Sequence, residues 1–508
     1  MPALYDYMIV GGGVVGSVLA RSLSRYQGNI LLVEKEVDVG MGASSANSAI
    51  VHAGYDPLPG TLKAKLNVQA NPMWDNLAGE LNFPFERRGD YVVAVGPEER
   101  PGLEMLIEQG RLNGVPGIHF ISAEEMRKRE PEINPLVSGA LWAPTGGLCD
   151  PFAVTVAAAE NAVQNGVKVL LDTAFEDFIW DEQRVVGIKT NRGVFQSRWV
   201  INAAGLFSDD VMHRAGVRPE FCITPRRGEY CILDQAEITI HNVLFPVPTQ
   251  AGKGILVTAS LHGNTLVGPN AHPVASKEDR SVTAEGIDEL CSGAHKLVPG
   301  LNMRYIIASF AGLRSTGNAH CANPEVAYES DFVIEIPVGV QGLVNLAGID
   351  SPGLTSAPAI AQYVIGLLAD AGEKLVEKTD WQPIRPPRPR FRDLDHTSQA
   401  RLIANDPRYA RVICRCEMVT EGEIVAEIHA PIPAATYDAI KRRTWLGTGR
   451  CLGGFDLPRV VALLADELGI PPQEVTKKGS GSEFLFRLTK EQIPAPDEAG
   501  AEEVAHVH

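Results

Sequence analysis

Three things are scarce in this sequence, and each scarcity excludes a class of protein. The opening, "MPALYDYMIVGGG", has no basic residues ahead of its first apolar run, and glycines break that run too early for a secretory signal. No uninterrupted apolar stretch elsewhere is long enough to span a bilayer, so the expected location is cytoplasmic, with any membrane contact made through a partner. Positive charge is scarce too. Against 62 Asp and Glu stand 46 Lys and Arg, and the formal net charge of −16 comes with no basic patch, which argues against nucleic acid or anionic lipid as the main partner. Clustered cysteines are few: Cys149, Cys222, Cys231, Cys291 and Cys321 stand singly, as small core residues of a reducing compartment do, and only Cys414, Cys416 and Cys451 come close together.

What is present is ample apolar material. With 508 residues, 45% hydrophobic and 21% charged, the chain should hold at least two domains with substantial cores. "YDYMIVGGGVVGSVLARSL" reads as a buried strand that runs through Gly11, Gly13 and Gly16 into a helix. The glycines serve a tight turn, close approach of the backbone to a pyrophosphate, and close packing of helix on strand. "NILLVEKE" follows as a second strand ending in Glu34, whose carboxylate could accept from the ribose hydroxyls of an adenosine. Later, "GVFQSRWVINAAGLFSDDV" carries a strand into Ala203, Ala204 and Gly205, small residues that let backbone approach a cofactor. In "GLVNLAGIDSPGLTSAPAIAQYVIGLL", Gly348, Gly353, Leu354 and Thr355 belong to a turn leading into a helix whose N-terminus could face a reduced flavin.

With these segments and "GASSANSAIVHAGYDPLPGTLKAKL" from Gly42, the chain resembles the D-amino-acid-oxidase-type FAD oxidoreductases, in the branch of glycerol-3-phosphate dehydrogenases and oxidases and L-2-hydroxyglutarate dehydrogenases. The resemblance runs from about Tyr5 to about Ala371. It implies that Ser44, Ser45, Asn47 and Ser48 lie along the flavin and pyrophosphate, and that His52 lies near the reacting carbon. An imidazole suits removal of a hydroxyl proton during hydride transfer. Taken without its motif, His52 reads as a core histidine held by a backbone carbonyl. Arg314 in "SFAGLRSTGN", just after an expected strand, is the chosen anchor for a substrate phosphate or carboxylate, and Lys253 at a glycine turn is the second. Arg226, before another expected strand, reads as a surface charge.

After a helix expected to end near Leu375, "DWQPIRPPRPRFRDL" reads as an extended linker or a strap over the flavoprotein surface. The segment that follows resembles the small helical [2Fe-2S] domain of the bacterioferritin-associated-ferredoxin type. Thr420 and Glu423 make a capping box, a second helix starts near Thr436 and stops at Gly447, and a third follows Asp456 with Pro458 in its first turn. Cys414, Cys416 and Cys451 are the expected cluster ligands. Asp456 stands where the family has a fourth cysteine, and it reads as ligand, as helix N-cap, or as both. A degenerate site and a zinc site are the competing readings. The terminal "PAPDEAGAEEVAHVH" is acidic and reads as disordered.

The expected architecture is α/β: a Rossmann-type FAD-binding domain with an inserted mixed β-sheet substrate domain, and a small all-α [2Fe-2S]-type domain. The boundaries expected are residues 1–375 for the oxidoreductase, with its substrate part at about 80–145 and 220–330, a linker at 376–408, the cluster domain at 409–470 and a tail at 471–508. The expected activity is oxidation of a small anionic hydroxy substrate, foremost glycerol 3-phosphate to dihydroxyacetone phosphate, with electrons passed through the cluster to a partner protein or quinone, in a chain open to hetero-oligomer formation. A 2-hydroxyacid dehydrogenase, an amino-acid or opine oxidase subunit, and an electron-transfer subunit are the alternatives.

Overall fold

The structure is a computed structural model that describes residues 4–217, 221–236, 238–249, 252, 254–318 and 331–487. The chain divides into two compact units, one made of Met1–Arg390 and Ala430–Pro433, the other of Phe391–His429 and Ala434–His508. Among the described residues no helix is long and apolar enough to cross a membrane.

Among the described residues the first unit is built on two large sheets and a small three-stranded one formed by Ile50–Val51, Gly147–Cys149 and Phe85–Arg87. In one, the strands Gly193–Asn202, Leu4–Val10, Ile30–Val33 and Lys168–Leu170 lie side by side in parallel, with Leu343–Ala347 parallel on the other flank of Gly193–Asn202. Their near-continuous Val, Ile and Leu runs are what strands covered on both faces require. Val10 is in register with both Asn202 and Val33, so three strand ends meet where the glycine loop begins. Helices Val14–Leu23, Pro151–Gln164 and Gly353–Asp370 share one apolar core against this sheet. The last ends at Asp370, short of Leu375, and Gly372 takes a positive φ of 93° just beyond it.

The second sheet has nine strands and is mixed. Long antiparallel partners Cys222–Leu233 and Ile306–Asn318 form one side, and Val243–Pro246 runs parallel to Asp90–Val95. Arg226 and Arg314, expected at strand margins, both lie inside these long strands, because the alternation of side chains continues through them.

Residues 380–390 of the proline-rich segment run without regular structure along the first unit. Arg385 Nε and Arg388 Nη2 each donate at 2.6 Å to the buried Glu160 carboxylate, and Gln382 N–H donates to Asn165 Oδ1 at 2.8 Å.

In the second unit, the Thr420–Glu423 capping box opens helix Glu421–Ile428, Thr436 caps Tyr437–Thr444, and Leu457–Leu468 completes the bundle around Ile424, Ile440, Val460 and Leu464. A further helix, His396–Asn405, forms where the sequence reading had only linker. Asp395 caps it by accepting from the Thr397 and Ser398 amides. The terminal acidic segment lies outside the described residues.

Asp90 opens a central strand and is wholly buried. Burial pushes its carboxyl up to about 8, with the Ala53 amide and the Arg87 charge offsetting only part of that. The folded chain therefore keeps this proton up to about pH 8, whereas an unfolded chain releases it near pH ~4, so folded stability falls as pH rises through that window. Replacing Asp90 with Asn removes this contribution: between pH 5 and 8 the calorimetric Tm of the wild type should fall further than that of Asp90→Asn.

Candidate active site and cluster-binding loop

A cavity of about 1480 Å³ opens in the first unit. Gly11 and Gly13 line it, followed by the start of helix Val14–Leu23. A Cβ at Gly16 would overlap the Gly11 carbonyl oxygen, so only glycine lets the helix sit this close to the strand it follows. Glu34 lines the cavity as well. Its Oε2 accepts from the Gly12 amide at 2.6 Å and its Oε1 from the Glu36 amide at 3.0 Å, while burial raises the carboxyl above its ordinary value. Ala204 and Gly205 line the opposite strand end, where Asn202 Oδ1 accepts the Ala204 amide.

The loop from Gly42 divides in its roles. Ser44 Oγ accepts the Val14 amide at 2.9 Å, and Ser44, Asn47 and Ser48 line the cavity. Ser48 Oγ meets the Tyr230 hydroxyl at 3.2 Å. Ser45 does not line the cavity: its hydroxyl turns back to the Met41 and Gly42 carbonyls. Among the turn residues read as cofactor contacts, Gly353 and Leu354 line the cavity, whereas Gly348 and Thr355 do not. Gly348 packs against Gly317, and Thr355 is wholly buried behind His52, accepting the His52 amide on its hydroxyl at 2.9 Å. The His52 carbonyl accepts from Asn67 and Asn71, each at 3.0 Å. With its backbone fixed on both sides, the His52 ring faces the cavity 6.0 Å from Phe245, with Ser351 Oγ 3.4 Å from Nε2.

The long strands supply the charge. Arg226, Gly228 and Tyr230 on one alternate onto the cavity face, and residues 312–316 of the other, Gly312 and Arg314 among them, border it. Gly312 is required there, since a Cβ would overlap the Ala46 carbonyl oxygen of the serine-rich loop. Arg226 and Arg314 are direct cross-strand partners. Burial, and then the like charge of Arg314, lower the Arg226 pKa. The surface reading of Arg226 is thereby corrected: only the cross-strand register brings it beside Arg314. Arg314 Nη1 and Nη2 each donate to the Asn270 carbonyl at 3.2 Å, which fixes the guanidinium plane. Lys63 and Asp350, which sequence reasoning missed, form a half-buried ion pair of 2.6 Å on the cavity wall. Lys253 lies outside the described residues.

The glycine cradle, the buried acid at the second strand and the long cavity are those of a dinucleotide site, and the residues present fit FAD. The sequence profile of the FAD dependent oxidoreductase (DAO) family matches residues 6–367. The chain belongs to that family. The flavoprotein is 42% identical over 496 residues to a glycerol 3-phosphate dehydrogenase of Caloramator mitchellensis, covering 96% of this chain and 100% of the relative. It is 34% identical to a glycerol 3-phosphate oxidase of Mycoplasma genitalium, covering 74% and 97%. The FAD-bound structure of L-alpha-glycerophosphate oxidase from Mycoplasma pneumoniae superposes with a TM-score of 0.70 at 33% identity, over 76% of this chain and 99% of that one. A BFD-like [2Fe-2S] binding domain profile matches residues 412–465.

In the second unit two of the three cysteines form a pair. Cys416 Sγ and Cys451 Sγ are 3.6 Å apart, close to the edge of a tetrahedron of metal–thiolate bonds ~2.3 Å long. Burial pushes the Cys414 thiol up to about 11; the Gly447 and Glu417 amides oppose this, and the neighbouring Asp456 carboxylate adds to it. Asp456 is 1% exposed. It makes no side-chain cap to helix Leu457–Leu468, contrary to the N-cap reading. Its Oδ1 instead accepts from the Tyr437 hydroxyl at 2.8 Å, and its Oδ2 is buried without a hydrogen bond among the described residues. Among the described residues no three His, Cys, Asp or Glu side chains converge as they would on a single metal ion. Cys416 and Cys451 form one thiol pair and Cys414 lies beside Asp456, a donor set of the kind that a [2Fe-2S] domain requires.

Thr355 holds the His52 backbone through its hydroxyl. Replacing it with Val should leave flavin content, read from the visible-to-ultraviolet absorbance ratio, unchanged, and should lower kcat about tenfold or more by releasing the His52 backbone.

Proposed function

We propose that this flavoenzyme oxidises glycerol 3-phosphate to dihydroxyacetone phosphate and passes electrons singly, through a [2Fe-2S] centre, to a partner protein or quinone. The observation that carries the reading is the Arg226–Arg314 pair, two guanidiniums on adjacent strands facing one cavity. Like charges held together away from bulk water call for an anion of high charge, and a phosphate monoester supplies roughly −1.5 to −2 near neutral pH. The glycerol 3-phosphate names of its relatives support the same choice.

In this reading Arg314, its plane set by Asn270, takes two phosphate oxygens in parallel hydrogen bonds, and Arg226 neutralises the remaining charge. Lys63 is held by Asp350, whose charge also reaches Arg226, and the two arginines serve as the anion site. His52 accepts the proton of the substrate hydroxyl, its ring oriented by the backbone bonds from Thr355, Asn67 and Asn71. Glycine-loop amides and the Val14–Leu23 helix start hold the pyrophosphate of FAD, which when bound supplies the hydride acceptor. Cys414, Cys416, Cys451 and Asp456 hold the cluster, which supplies one-electron transfer.

Anaerobic titration of the purified protein with glycerol 3-phosphate should bleach the flavin's visible band. His52→Gln should lower kcat by about 10²- to 10⁴-fold with little change in KM. Arg226→Ala and Arg314→Ala should each lower kcat/KM about 30-fold or more, chiefly through KM. Bleaching by L-2-hydroxyglutarate and not by glycerol 3-phosphate would reverse the substrate assignment.

A further inference from the structure

Resting on the two-iron reading of the second unit, we propose that Tyr437 is a positioning residue that fixes Asp456 as a one-oxygen iron ligand, with Oδ1 tied to the phenol and Oδ2 left for the metal. A free carboxylate can present either oxygen, or both, to a metal, and a ligand whose mode changes makes a labile site. The Tyr437 hydroxyl removes that freedom by donating to Oδ1 at 2.8 Å. It leaves Oδ2 buried without a nitrogen or oxygen hydrogen-bond partner among the described residues, with the Cys414 thiol beside the carboxylate, an arrangement that a cation would satisfy.

The surroundings are shaped for this contact. A Cβ at Gly447 or Gly453 would overlap the Tyr437 hydroxyl oxygen, and both glycines take positive φ, 71° and 86°. The loop between the second and third helices is thus cleared on two sides for the phenol. Phe484 holds the ring edge-on at 5.6 Å and 75°. Thr436 caps the helix start from which Tyr437 projects, so the phenol's position is set by backbone as well as by packing. A helix cap would use the same carboxylate for the Leu457–Leu468 amides, and that bond is not made. The carboxylate is reserved for another partner, and Cys414 is its neighbour.

The test uses the full chain with its cluster reconstituted anaerobically, measuring iron and acid-labile sulfide content, the electron paramagnetic resonance of the reduced cluster, its reduction potential, and the rate of iron release to a chelator. Tyr437→Phe, which keeps the ring, should change the resonance and the potential and release iron about tenfold faster or more. In an Asp456→Cys background, where the ligand has a single donor atom, the same Tyr437→Phe change should have little effect. The proposal is overturned if Tyr437→Phe matches the wild type in all readouts, or if it has the same effect in both backgrounds, since the phenol would then act through packing alone. A wild-type chain that takes up no paired iron and sulfide would reject the cluster reading itself, and the positioning role with it.

Discussion

The wholly buried hydroxyl of Thr355 accepts the His52 amide and faces the Ile50 carbonyl 3.4 Å away, so the start of helix Gly353–Asp370 and the two-residue strand Ile50–Val51 meet at one point. The indole of the buried Trp74 donates to the Thr355 carbonyl at 2.9 Å and anchors the same point from a third element. A strand of two residues has almost no ladder of its own to fix it. Its position, and with it the direction of the His52 ring, is set from behind by side chains that never reach the cavity.

A second constraint acts from the front. Gly312 lies under the Ala46 carbonyl so closely that no side chain fits, which presses the sheet that carries the arginines against the loop that carries Ser44 and Ser48. The distance from the two arginines to the serine-rich loop is therefore set by backbone contact and strand register, and not by long flexible side chains. Tyr230, stacked on Phe310 at 4.6 Å and bonded to Ser48, closes the same seam with a side-chain contact.

The elements most legible in the sequence were those whose causes are local. Strand, glycines, helix and acid follow one another within the first 34 residues, and the Thr420–Glu423 capping box is complete within four. What escaped was set by partners distant in sequence. Arg226 looked like a surface charge because its neighbour Arg314 is reached only through the register of a long hairpin-like pair. Lys63 and Asp350 carry no motif, and their pairing brings the first turn of helix Leu62–Ala70 to a loop 287 residues later. Thr355 lies in the right segment for a cofactor contact but points to the protein side. Asp456 had the residue type and position of a cap, yet Tyr437, nineteen residues earlier, competes for it and wins. Helix His396–Asn405 was hidden by the proline and arginine density just before it, although Asp395 is a good cap signal.

The strap along the first unit bears on how such chains gain and lose domains. Glu160 is 2% exposed in the helix Pro151–Gln164, and both of its ionic partners, Arg385 and Arg388, come after the last helix of the oxidoreductase fold. A chain cut at the end of that helix would keep every residue of the cavity and yet strand a buried carboxylate, at a cost of about 3–5 kcal/mol. The fusion point is therefore not a neutral tether. A first unit standing alone would have to keep the strap, or carry at position 160 a residue that needs no counter-charge.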